Sequence, residues 1–216
     1  MRGILTVLSQ GCKWRAIDGP EASWNSIYQY YLRWAKQGVF ELLFAQIELP
    51  LAGARLFLDS THVKVHRCAS NPPGGQEGQA MGRTKGGLNT KIHAVVDAAR
   101  QPVRLFLSPG NEADITHAPT LLEEIPAAML VADKGYDSDP FREWLRDRAI
   151  QPCIPPRSNR KHPQTYSKAA YRQRHVVENF FERIKNFRRV ATRYDKLART
   201  YLGFVCLAST LVSLLF

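Results

Sequence analysis

Three carboxylates, separated along the chain by 74 and 45 residues, carry the first chemical suggestion: Asp59, Asp133 and Glu178. Asp59 and Asp133 each close a short apolar run, Arg55-Leu-Phe-Leu-Asp59 and Ala128-Met-Leu-Val-Ala-Asp133. Such runs read as buried strands, and ligands gather beyond the carboxyl ends of strands in sheets with helices alongside. If the two strands are parallel neighbours, both side chains emerge at one edge, and a later helix can deliver Glu178 there. Three anions brought together repel unless cations are bound. Hard oxygen donors suit Mg²⁺ or Mn²⁺ rather than Zn²⁺. Two such ions about 4 Å apart would activate an attacking oxygen and stabilise a leaving oxygen at a phosphodiester.

The helix that must position Glu178 runs from Tyr171 to Lys185, YRQRHVVENFFERIK. At about 100° per residue, Tyr171, Arg174, Glu178, Glu182, Lys185 and Arg189 share one face. Val176, Val177, Phe180, Phe181, Ile184 and Phe187 fall on the other and must be buried. Between Arg157 and Arg199 there are 13 Lys or Arg and 3 Asp or Glu, so nearly all of the chain's net charge of +11 surrounds Glu178. That concentration, with a pI near 9.8, points to a polyanion partner, most simply nucleic acid. Glu178 four residues after Arg174 also fits a plain helical ion pair, and that reading of Arg174 stays open.

Around these residues the chain divides into two parts. Residues 1–50 read as a small helical region, with Gly11 stopping a first helix, Ser23 capping a second that runs to about Gln37, and a third piece from Val39 to Ile47. It is either a helix-turn-helix-like DNA reader or a cap on the main domain; no row of Arg and Lys marks a recognition helix, which favours the cap. Residues 51–216 read as one α/β domain with a flexible Gly/Pro-rich loop at 68–87, made mildly basic by Arg83 and Lys85. Leu88–Val96 and Val103–Leu107 form a hairpin turned at Asp97. Asp114 caps a helix reaching about Glu124, Asp139-Pro140 starts another, Ile150–Ile154 is a short strand, and a last helix begins near Lys196.

Several residues get the plainer reading. Asp97, Asp114, Asp137 and Asp139 suit turns and caps. His62 and His66, four apart on a strand, suit structural or DNA-proximal roles better than a metal pair. Lys134 reads as a solvated lysine. Cys12, Cys68, Cys153 and Cys206 form no CxxC pair, which argues against a zinc site and a disulfide framework and fits a reducing cytoplasm. No signal peptide opens the chain. The apolar run from Tyr201 to Phe216 is shorter than a membrane span and reads as a core helix, so no membrane partner is expected.

Tyr171-x2-Arg174-x3-Glu178-x6-Lys185 matches in spacing the Y-R-E-K signature of the DDE transposases of bacterial insertion sequences, and the chain resembles that family along nearly its whole length. LDST at 58–61, KGGLNTKIHAVVD at 85–97, ADKGYDS at 132–138, RRVATRYDKLARTYLGF at 188–204 and the opening GCKWRAIDG are similar to it. The resemblance implies a ribonuclease-H-like mixed sheet flanked by helices. It implies catalytic, metal-holding roles for Asp59, Asp133 and Glu178 with two Mg²⁺ or Mn²⁺ ions, and hydrolysis at transposon ends followed by attack of the freed 3′ hydroxyl on target DNA. It implies DNA contacts at Tyr171, Arg174, Lys185, Arg188 and Arg189, and a homodimer on double-stranded DNA. Relatives commonly carry a segment ahead of the position of Met1, so a shortened copy is expected. The rivals are a DNA-binding protein that no longer transposes and a structure-specific nuclease of the same fold.

Overall fold

The computed structural model describes residues 1–17, 22–47 and 49–215. Three helices open it: α1 (Arg2–Gln10), α2 (Trp24–Lys36) and α3 (Val39–Ala45). Gly11 ends α1 in the left-handed conformation, and the Ser23 hydroxyl caps α2 by accepting the Ser26 N–H, as the sequence predicts. Asp18 and Gly19 of the GCKWRAIDG stretch lie outside the described residues.

Among the described residues, seven strands form one mixed sheet: β1 (Ala54–Val65), β2 (Gly82–Thr84), β3 (Gly87–Asp97), β4 (Pro102–Pro109), β5 (Ala127–Ala132), β6 (Gln151–Cys153) and β7 (Thr192–Arg193). β3 pairs antiparallel with β1 and β4, while β5 runs parallel to β1 and β6 parallel to β5. An antiparallel meander continued by parallel strands, with helices on both faces, is the ribonuclease-H-like arrangement expected. The β3–β4 turn has the predicted chemistry: Asp97 Oδ1 accepts the N–H groups of Ala99 and Gln101.

The helices of the second part are α4 (Ala118–Leu122), α5 (Asp139–Asp147), α6 (Lys168–Tyr171), α7 (His175–Lys185), α8 (Arg188–Ala191) and α9 (Ala198–Leu215). One sheet face, with Leu56, Leu58 and Leu130, packs on α4 and α5. The other, with Phe57, Val63, Ile92 and Val131, packs on α7 and α9, and the same core takes in Val7 and Leu8 of α1, Tyr31 of α2 and Phe40 of α3. The N-terminal helices thus share the core of the second part instead of standing apart: Tyr31 is fully buried and stacks on Phe204 at 4.3 Å.

Four expectations are corrected. The helix over Tyr171–Lys185 is broken by a 3-10 turn at Arg172–Arg174, so α6 and α7 are separate pieces. The 68–87 loop contains β2 and two 3-10 turns, one of them at Glu77–Gln79. The helix expected from Asp114 starts as a 3-10 turn over Asp114–His117, capped by Ala113. The final helix has 18 residues and is long and apolar enough to cross a membrane, but 56% of it is buried inside the protein, as a core helix would be.

Candidate active site

The site is set in a gap in the sheet. β5 follows β1 only as far as Leu58, which pairs with Ala132, and β7 joins the same edge of β1 only at Lys64. Between them Asp59–Val63 has no strand neighbour on that side among the described residues, while β3 supports the other edge throughout, with Asp59 opposite Ala94. Asp59 therefore lies within a strand and not at its end, as the apolar run alone suggests; what ends beside it is the neighbouring strand. Lys185 reaches into the gap from α7, and its Nζ donates to Thr61 Oγ1, which the sequence gives no hint of, and to the carbonyl of His62 at 3.2 Å.

Asp59 Oδ1 accepts the Ser60 N–H at 2.8 Å, and Oδ2 accepts from Arg174 Nη1 at 2.7 Å. The other end of the same guanidinium, Nη2, donates to Glu178 Oε1. Arg174 thus bridges Asp59 and Glu178, which lie 119 residues apart in the chain. The side chain of Asp59 is 19% exposed and that of Glu178 is 49% exposed. Burial pushes the Asp59 carboxyl up to about 6, against the pull of the Ser60 N–H and Arg174, and the Asp133 charge adds to the rise. Burial also works against the charge on Arg174, but Asp59 and Glu178 outweigh it and raise its pKa. Lys185 is held below its ordinary value by burial.

Asp133 follows β5 directly and caps the 3-10 turn Lys134–Tyr136, its Oδ1 accepting the Gly135 N–H at 2.7 Å. A Cβ at position 135 would meet that oxygen at 2.8 Å, so a side chain there would push the Asp133 carboxylate out of its present place. The turn is braced from behind. Arg157 donates to the carbonyls of Lys134 and Gly135, and Asp137 accepts from Arg142 Nε and from the Arg157 N–H, both at 2.8 Å. Asp137, read from sequence as a turn residue, is instead a buried anchor; its visible signal was Arg142 five residues on. Lys134 is exposed, as expected. The Tyr136 hydroxyl, also missed, is buried without a hydrogen-bond partner among the described residues. Burial raises its pKa, and so do the charges of Asp114, Asp59 and Asp133, which places this donor within their field.

The other expected DNA contacts divide. Tyr171 packs edge-on against Tyr166 at 5.6 Å and lies in the field of Arg174. Arg188 is exposed beside Gln10 and Gly11. Arg189 is a correction. It is 6% exposed, donates twice to Asp195 at 3.0 and 3.1 Å, and lies over the rings of Tyr194 and Phe204, so its guanidinium is not available to a phosphate. Asp59 and Glu178 are gathered through Arg174, and Asp133 stands close enough to affect Asp59 and Arg174 alike. Among the described residues, no three His, Cys, Asp or Glu side chains are gathered as a ready cage for one ion.

The sequence profile of the transposase DDE domain matches residues 53–212, a stretch that contains all three carboxylates. The chain belongs to the DDE transposase family. A second profile, for candidate transposases of the IS4/5 family, matches residues 1–44. The chain is 33% identical over 127 residues to the candidate transposase of insertion sequence element IS6501 from Brucella ovis, covering 58% of this chain and 98% of that protein. It is 29% identical over 156 residues to the candidate transposase of element IS402 from Burkholderia cepacia, covering 63% and 72%. Among solved structures, the piggyBac transposase synaptic complex with hairpin DNA matches with a TM-score of 0.48 at 11% identity, over 73% of this chain and 45% of that one. Membership makes this transposase-family chain an enzyme of DNA transposition, and it carries divalent-metal chemistry with it in general terms.

Proposed function

We propose that the protein cleaves double-stranded DNA at the ends of an insertion sequence and joins the freed 3′ end to target DNA, with Asp59, Asp133 and Glu178 as its catalytic and metal-holding residues. The observation that carries this reading is the Arg174 bridge, which brings Asp59 and Glu178 to one cation in the gap beside Asp133. The donor set suits a hard divalent ion: carboxylate oxygens and no thiolate. Asp59 in particular is a mostly buried acid whose pKa is raised by burial even with an arginine in contact, and a bound cation would favour its charged form. The assigned ions are Mg²⁺ or Mn²⁺, two in number. When bound, they would supply Lewis acidity to the phosphodiester and to the attacking oxygen.

The chain's own residues do the positioning. Glu178 is presented from the rigid α7, whose apolar face is locked into the core by Val177, Phe180 and Ile184. Arg174, 23% exposed, holds the two acids in register through one oxygen of each, Asp59 Oδ2 and Glu178 Oε1, so the other carboxylate oxygens can still donate to an ion. Lys185, beside Thr61, and Arg188, beside Gly11, offer cations to the DNA backbone, and Tyr171 offers a ring and a hydroxyl. In the joining step the 3′ hydroxyl oxygen bonds to a target phosphorus while that phosphorus loses its bond to the target's own 3′ oxygen. The attacker's proton ends on the released 3′ hydroxyl, and the number of phosphodiester bonds is unchanged. Two ends acting together make a homodimer the expected working form.

One observation favours a rival. Arg174 already satisfies Asp59 and Glu178, as it would in a protein that only grips DNA. Replacement of Glu178 by Gln separates the two. Under the transposase reading, Glu178→Gln abolishes Mg²⁺- or Mn²⁺-dependent nicking of the flanking ends of its own genomic copy and keeps most of the DNA affinity, measured by gel cleavage and fluorescence anisotropy. Retained metal-dependent cleavage in that variant refutes the assignment; absence of any cleavage by the parent protein leaves the binding reading in its place.

A further inference from the structure

On the sheet face away from α7, an open cleft of about 690 Å³ is lined by His62, Lys64, Arg83, Lys85, Asn89 and Lys91, among other residues. Its construction follows from strand periodicity. His62 and Lys64 alternate with Thr61 and Val63 along β1, so they face the side opposite Lys185, and they pair across the sheet with Lys91 and Asn89. β2 and β3 close a two-residue turn at Lys85-Gly86, with Thr84 opposite Gly87. A Cβ built on Gly87 would find nothing within 4 Å, so the turn is open to close approach.

The charges in the cleft are unevenly satisfied. Lys91 is buried and held by Asp114 at 2.7 Å and by the Glu112 carbonyl, and the Glu112 carboxylate is turned to His117. Lys64, Arg83 and Lys85 are exposed and have no ion-pair or hydrogen-bond partner among the described residues. Asn89, the side chain best suited to read a base edge, is committed to Thr84 Oγ1, the Gly87 carbonyl and His62 Nδ1. What remains is a cationic surface that can hold phosphates, with Arg83 able also to reach a base edge.

We propose that this cleft holds the backbone of the target duplex. The inference rests on the transposition reading above and adds a second DNA track to it. Joining requires two duplexes to meet at one set of carboxylates, and a second basic surface gives each its own track. Asp59 stands on the strand that separates two such surfaces, with Lys185 on one face and this cleft on the other. His62 and Lys64 lie three and five residues beyond Asp59, roughly 10–17 Å along the strand, which is three to five base steps of duplex. A target held mainly by charge would be used with little sequence demand beyond what Arg83 reads.

The test is the full chain carrying Lys64→Ala, Arg83→Ala and Lys85→Ala together; all three residues are exposed, and a melting curve checks the fold. Three readouts are compared with the parent: Mn²⁺-dependent cleavage of an insertion-sequence end, joining of a pre-cut end to plasmid at varied plasmid concentration, and the salt slope of anisotropy binding to a duplex without the end sequence. Cleavage is expected within about twofold of the parent, and joining at sub-saturating plasmid to fall about tenfold or more, recovering as plasmid is raised. The slope of log K against log salt is expected to drop by about 2.7, three contacts at roughly 0.9 each. Equal losses of cleavage and joining would assign the cleft to the transposon end and overturn the proposal, as would an unchanged slope with unchanged joining. A parent protein that cleaves nothing would sink the transposition reading instead, while the salt slope would still report on the cleft.

Discussion

Arg174 with Asp59 and Glu178, and Arg142 with Asp137, are both built from a guanidinium and carboxylates and lie on either side of the same sheet. They differ in what surrounds them. Both partners of the Arg142–Asp137 pair are 1% exposed, and the remaining polar atoms are met by the Ile154 carbonyl and the Arg157 N–H. The Arg174 bridge is partly open to solvent and lies in the gap of the sheet, with one acid left at a raised pKa. The first arrangement is a finished joint that fixes the turn behind Asp133. The second is unfinished: its acids are held near each other by a cation that solvent and ligands can reach. Charge pairing alone therefore does not distinguish structure from chemistry here, whereas burial and completeness of the hydrogen bonding do.

Removing the arginine from each joint tests that contrast. The largest effect is expected from Arg142→Ala, which leaves Asp137 buried with the Arg157 N–H and, among the described residues, only a distant cation, Arg160 Nε at 3.5 Å, and should lower unfolding stability by about 3 kcal/mol in urea titration; a loss under about 1 kcal/mol would mean that the joint is not a structural one. Arg189→Ala should follow at about 2–3 kcal/mol, since it leaves Asp195 buried without its guanidinium partner and removes the cation over Tyr194 and Phe204. The same variant should leave the salt slope of DNA binding unchanged, and a decrease by about one unit would return Arg189 to the DNA contacts. The smallest stability effect belongs to Arg174→Ala, about 1 kcal/mol or less, because solvent already screens that bridge. A thermal shift as large as that of Arg142→Ala would erase the distinction between the two regions.

Much of the site was legible in the sequence because its signals are local. The apolar face of α7 was given by spacing, and Val176, Val177, Phe180, Phe181 and Ile184 are all buried. Strand-like runs ahead of Asp59 and Asp133 were visible, and they do pair in parallel. What stayed hidden depends on partners remote in the chain. The gap beside Asp59 arises from where β5 stops and β7 begins, 60 residues apart, and no pattern within β1 announces it. Arg188 and Arg189 are adjacent and identical in type. One helical step of about 100° turns the second inward, and Asp195 then captures it, so composition could not separate a surface cation from a buried one. The 3-10 break at Arg172–Arg174 was hidden for another reason: the residues on both sides keep helical periodicity.

β1 continues for six residues after Asp59, paired with β3 as far as Lys64, before the chain enters the irregular stretch that leads to β2. The carboxylate is thus mounted in mid-span, with hydrogen-bonded ladder on either side of it. Lengthening, trimming or replacing the connection between Val65 and Gly82 would change what hangs from the far end of the strand without shifting Asp59 itself, which makes that connection a natural place for sister elements to diverge while the reaction centre stays put.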